Sequence, residues 1–163
     1  MTMFKTSEPV EWALHCATVL AGLPPGAALP AAKLAEFHSL PAAYLAKTLQ
    51  AMARHGVVEA LPGRRGGYRL ARAAADVTLL DVVEAVEGDE PLFRCTEIRK
   101  QGPVTASRYS PVCGLAAAMA RADRAWREEL AGTTLADVQA QMRRSIPRDT
   151  REAAARWVRA AVS

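Results

Sequence analysis

The stretch YLAKTLQAMARHGVVEALPGRRGGYRLAR (residues 44–72) decides the fold. Its first half sets Leu45, Leu49 and Met52 at helical spacing and runs to Gly56, a helix stop. Its second half places two short apolar segments, 57–61 and 68–71, on either side of the turn-forming PGRRGG (62–67), the pattern of a β-hairpin. Immediately upstream, Leu34 and Phe37 mark a short helix over 31–37, and HSLP (38–41) supplies a tight turn into the next helix. Two helices joined by such a turn and followed by a hairpin predict a winged helix-turn-helix. In that architecture the second helix enters the DNA major groove.

Working outward, Ser7 suits the N-cap of a first helix with Val10, Leu14, Ala17 and Ala21 as its apolar stripe. The segment GLPPGAAL (22–29) ends it. Downstream, Thr78 and Asp81 have the spacing of a capping box and open a helix that Gly88 closes. Residues 89–112 lack periodicity and read as an irregular loop. A long helix is expected from Val112 to Ala131, with Leu115, Met119, Ala122 and Trp126 stepping by four, three and four. That is coiled-coil spacing, which requires a partner, and a symmetric dimer supplies one. A further helix opens with TTLADVQAQM (133–142), and Asp149 is placed to cap a last one carrying Ala154, Trp157, Val158 and Ala161. The expected fold is therefore mainly α with a small β-hairpin: a winged helix-turn-helix plus a long dimerisation helix. Its regions are 1–75 for DNA binding, 76–112 as connecting helix and loop, and 113–163 for dimerisation and the C-terminal helices. No internal repeat, phosphate-binding glycine loop or serine-elbow motif stands out.

Half of the residues are hydrophobic, enough for a substantial core, and the formal net charge is +4. The distribution of charge says more than its sum. Between 29 and 72 stand seven basic residues against two acidic ones, whereas 73–94 carries six acidic residues and Arg94 alone. The first segment suits a polyanion. Tyr44, Lys47, Thr48 and Gln50 on the reading helix, with Arg64 and Arg65 at the hairpin tip, are the expected DNA contacts. The alternative is an ordinary solvated surface; agreement of charge, turn and hairpin favours DNA. No apolar run reaches bilayer length and no signal-peptide pattern leads the chain, so a cytoplasmic location without a membrane partner is expected.

Three cysteines are too few for a disulfide framework. Cys95 and Cys113 are separated by seventeen residues, a spacing that matches no zinc knuckle or ferredoxin run. On spacing alone they read as structural or idle thiols rather than ligands; arguing the other way, Cys113 opens the long helix, where thiolate is favoured. Glu11 and His15, one helical turn apart, read by spacing alone as a surface or cap contact, with half of a metal site as the alternative. Cys16 points about 100° away from His15 and is read as core. His38 lies in the turn of the DNA motif and is a candidate titrating group.

The segments YLAKTLQAMARHGVVEALPGRRGGYRLAR and VTLLDVVEAVEG (77–88) resemble the IscR/NsrR-type winged-helix iron–sulfur regulators, the Rrf-two family, over roughly residues 8–140. Most members hold a cluster with three closely spaced loop cysteines, and this loop has two, far apart. The segments VEWALHC (10–16), CTEIRKQGP (95–103) and TTLADV (133–138) are similar instead to the RsrR-like branch. That resemblance implies a [2Fe–2S] cluster held by Cys95 and Cys113 of one chain with Glu11 and His15 of the other, and a histidine in the motif turn, matched by His38. Family members carry hydroxyls at the start of the reading helix, where LPAA (40–43) has none. The function it implies is a homodimeric regulator, a repressor, that binds a two-fold double-stranded DNA operator and senses redox state. Rival expectations are a zinc-bound or metal-free regulator of the same fold, since two cysteines, a histidine and a glutamate also suit zinc, or a thiol enzyme with His15 as base.

Overall fold

The computed structural model describes residues 7–104, 108–109 and 111–162. Seven α-helices and one two-stranded antiparallel sheet follow the expected order: α1 (Glu8–Ala21), α2 (Ala31–His38), α3 (Ala42–Arg54), β1 (Val58–Leu61), β2 (Gly67–Leu70), α4 (Leu79–Glu87), α5 (Gly114–Ala131), α6 (Leu135–Ser145) and α7 (Arg148–Val162). The core gathers Leu34 of α2, Leu45, Leu49 and Met52 of α3, Val57 and Val58, Val82 of α4 and Leu135 of α6. On α1 the buried face is Val10, Ala13, Cys16, Ala17 and Leu20. It therefore lies slightly around the helix from the predicted stripe, leaving Leu14 and Ala21 half-buried.

The elbow of the motif is made by Ser39 in the left-handed region (φ 53°), with the Leu40 N–H donating to the Ala35 carbonyl at 2.8 Å. The hairpin pairs Val58 with Leu70 and Leu61 with Gly67. Leu29 joins its far side through two backbone hydrogen bonds with Tyr68, each 2.9 Å, so the wing is braced against the α1–α2 connection. Gly67 fits here because a Cβ would drive into the Leu29 backbone.

Two capping boxes face one another. Thr78 and Asp81 cap α4, Thr134 and Asp137 cap α6, and in each case the residue after the cap donates to the residue before the other: Leu79 N–H to the Thr133 carbonyl and Leu135 N–H to the Val77 carbonyl, both 2.9 Å. The sequence T-L-x-D-V occurs at both places, a short duplication that the sequence reading passed over. At α7 the expected cap differs: the helix starts at Arg148, so Asp149 lies within its first turn and accepts the Thr150 N–H at 2.8 Å.

Arg127 fixes α5 to the rest. Its guanidinium donates to Glu84 at 2.6 Å, to Asp123 at 3.1 Å, and to the carbonyls of Asp89 and Glu90 at 3.1 and 3.0 Å. Replacing Arg127 by alanine is expected to cost about 2 kcal/mol, because charge-assisted bonds are lost and two acids are left facing each other. Urea unfolding of the variant checks this; an unchanged midpoint would refute it.

Candidate functional site: a basic reading surface and a pair of thiols

On α3, Tyr44 is 64% exposed and Lys47 is also exposed, with its Nζ over the Tyr44 ring at 5.6 Å. Gln50 is exposed on the same helix, and Arg64 and Arg65 are exposed at the wing tip. Thr48 behaves otherwise. It is 6% exposed and its hydroxyl donates back to the Tyr44 carbonyl at 3.4 Å, so it faces the core rather than solvent. A threonine with that local backbone bond sits inward without an unsatisfied group, which removes it from the DNA-facing set.

The cysteines meet where the loop enters α5. In the loop before α5 a 3₁₀ turn spans Ile98–Lys100, and Cys113 forms the N-cap position of α5. Ligand atoms of Cys95, Glu97 and Cys113 all lie within 4.8 Å of one another, the grouping of this kind among the described residues. Backbone N–H groups of Ala116 and Leu115, the Cys95 thiol and the Arg99 charge hold the Cys113 thiol below its ordinary range, against desolvation. Glu97 was not foreseen as part of the site. It takes the left-handed conformation (φ 55°), rare outside glycine, which folds its carboxylate back toward Cys95. There it is held by Arg99 and Lys100, each at 3.0 Å, and their hydrogen bonds keep its carboxyl below the usual range. The only sequence signal for it was the Cys-x-Glu spacing.

Glu11 and His15 are both exposed on α1 and do not join the thiol group within one chain. Cys16, beside them in sequence, is fully buried, and burial pushes its thiol up to about 12. The rings of His15 and His38 lie 5.6 Å apart, and burial together with the His15 charge lowers the pKa of His38. The Nε2 of His38 is buried with no hydrogen-bond partner among the described residues. These contrasts predict selective alkylation. In metal-free protein near neutral pH, iodoacetamide should label Cys113 at least about tenfold faster than Cys16, because the lowered pKa populates thiolate and the raised one suppresses it. Peptide mapping of a time course measures the ratio, and equal rates would contradict the assignment.

A reading helix with an exposed cationic face and a basic wing define a winged-helix DNA-binding protein. The family model of Rrf2, described as "Iron-dependent Transcriptional regulator", matches residues 6–141, and the chain belongs to that family. It is a family of transcription regulators rather than enzymes, which disposes of the thiol-enzyme expectation. Protein aau3 of Rhizobium meliloti is 36% identical over 107 residues, 65% of this chain and 66% of that protein, so the chain spans just under two thirds of it. The HTH-type transcriptional regulator NsrR of Bacillus subtilis is 30% identical over 134 residues, 82% of this chain and 89% of that protein. Among solved structures, IscR of T. potens superposes with a TM-score of 0.70 at 20% identity, covering 88% of this chain and 92% of the other. The end of α6 and all of α7 lie beyond the matched span. No helix among the described residues is long and apolar enough to cross a membrane.

Proposed function

We propose that the chain is a homodimeric repressor of the RsrR-like kind, working in the cytoplasm, that senses redox state through a [2Fe–2S] cluster. Cys95 and Cys113 would supply one iron's thiolates, and Glu11 and His15 of the other subunit the second iron's ligands. The observation that carries this reading is the split donor set: two thiols gathered in one place, and an exposed carboxylate–imidazole pair one turn apart elsewhere. A cluster of this type needs four protein ligands, two on each iron, and the cysteine site offers only two thiols. Donor chemistry fits, since Cys113 is already biased toward thiolate. When bound, such a cluster exchanges one electron, and imidazole ligation raises its potential.

Dimerisation is supported by α5, which buries no residue fully and leaves Leu115 74% and the preceding Val112 64% exposed. The proposed division is 1–75 for reading DNA, 76–112 for connection and cluster loop, and 113–163 for the dimer and C-terminal helices. His38, in ring contact with His15, links the ligand pair to the elbow of the reading motif. Tyr44, Lys47, Gln50, Arg64 and Arg65 are the proposed DNA contacts. An anaerobic absorption spectrum with iron and sulfide counts, repeated on Glu11→Ala protein, tests the cluster; colourless, iron-free native protein would sink it.

DNA contact has its own test. Arg64→Ala/Arg65→Ala protein on a random-sequence duplex should bind more weakly, with the slope of log affinity against log salt reduced by about 2, one unit for each lost phosphate contact. An unchanged slope removes the wing from the interface.

A zinc-bound regulator is the second reading, favoured by Glu97 lying with both thiols in a single chain. Zinc would then replace Arg99 and Lys100 as the cation facing that carboxylate, and two thiolates with carboxylate and one further donor satisfy its tetrahedral preference. Metal analysis of protein expressed without added zinc separates the two.

A further inference from the structure

A cavity of about 670 Å³ lies between α1, the end of α2, α6 and α7. Its apolar wall is Val19, Phe37, Met142, Ile146, Ala154 and Ala155. A second cavity of about 280 Å³, reaching toward Val158, shares Thr18, Val19, Gly22, Phe37, Ala154 and Ala155 with it, so the two form one cleft along α7. Phe37 packs on Trp157 with ring centroids 5.0 Å apart, which pins α7 over the cleft.

The polar rim is unbalanced. Arg143, Arg148 and Arg151 stand there against Glu152 alone. Glu152 is committed to Arg148 at 2.7 Å, and Arg151 donates Nε to the Ile146 carbonyl at 3.2 Å. Arg143 has neither an ion pair nor a hydrogen bond among the described residues. His15 and His38 also contribute to the wall. A cavity of several hundred Å³ with apolar walls and a few convergent polar groups is the usual form of a small-molecule site.

We propose that this cleft binds a small amphiphilic acid, its apolar body against Val19, Phe37 and Met142 and its anionic group at Arg143. The charge excess selects the sign of the ligand's head, and the wall selects its tail. The site is built jointly by helices of the matched span and by α7, which lies outside it. It sits against His38, the last residue of α2 and therefore the start of the elbow into the reading helix. His15, a cluster ligand under the proposed function, also lines the cavity, so binding is measured on metal-free protein, where its failure and the failure of the cluster reading are distinguishable.

Isothermal titration calorimetry of the full chain with decanoate, decan-1-ol and decylammonium tests it. Decanoate should bind saturably with one molecule per chain, and the alcohol and the ammonium should bind at least about tenfold more weakly. Arg143→Glu, at an exposed position, should weaken decanoate by about tenfold or more. Ala155→Trp should fill the cleft and abolish binding while Arg143→Glu reports independently of any effect on folding. Absence of saturable decanoate binding, equal binding of decylammonium, or an Arg143→Glu protein that binds like the native one would each overturn the proposal.

Discussion

Cys113→Ser protein is expected to emerge from anaerobic purification with its iron and sulfide essentially gone while its fold is retained. Serine is among the best residues at a helix N-cap, and Cys113 occupies that position on α5. The substitution therefore removes the proposed sulfur ligand and leaves a favoured N-cap residue in its place, and circular dichroism should be unchanged. Cys16→Ser provides the opposite outcome. Cys16 is fully buried in the α1 face of the core, so a hydroxyl there should cost about 1–3 kcal/mol yet leave the iron count intact. Iron retained in Cys113→Ser, or lost in a folded Cys16→Ser, would reverse the assignment of ligand and core.

The second large effect is on the wing. Gly67→Ala should destabilise the protein by about 3 kcal/mol, since it combines a backbone angle that suits glycine (φ 144°) with a Cβ placed against the Leu29 backbone. Neither neighbour can yield cheaply, because Leu29 is itself bonded to Tyr68 on both backbone groups. Gly63→Ala is the internal comparison. It also has a positive φ (97°) but no atom within 4 Å of the added carbon, so about 1 kcal/mol is expected. Urea midpoints for the pair measure the difference, and similar values would show that the close approach of Leu29 carries no weight.

What was readable in the sequence follows from how local its causes are. The apolar spacing of Leu45, Leu49 and Met52, the Gly-Gly turn and the Thr78–Asp81 cap act within a few residues, and each element appears where the chain says it should. Thr48 was misplaced because a polar residue on a reading helix looks solvent-facing until the back-bond to Tyr44 is seen. Glu97 was missed because its role depends on a left-handed backbone angle, which composition does not announce. The meeting of Cys95 with Cys113 depends on a loop closing across seventeen residues, and spacing alone favoured idle thiols. The cleft under α7 was invisible for the same reason: its walls come from four helices distant in sequence.

The facing caps of α4 and α6 carry a consequence for autonomy. Leu135 is fully buried among core residues of α1 and α4, and Leu79 finds its acceptor at Thr133. The reading head and the helices behind it thus share one hydrophobic interior and one latch. A fragment ending after α4 would expose that interior and strand the Leu79 amide, whose acceptor is the Thr133 carbonyl. The smallest piece expected to stand alone therefore runs through α6, and a disturbance at α5 is felt in the same folding unit as the winged-helix motif.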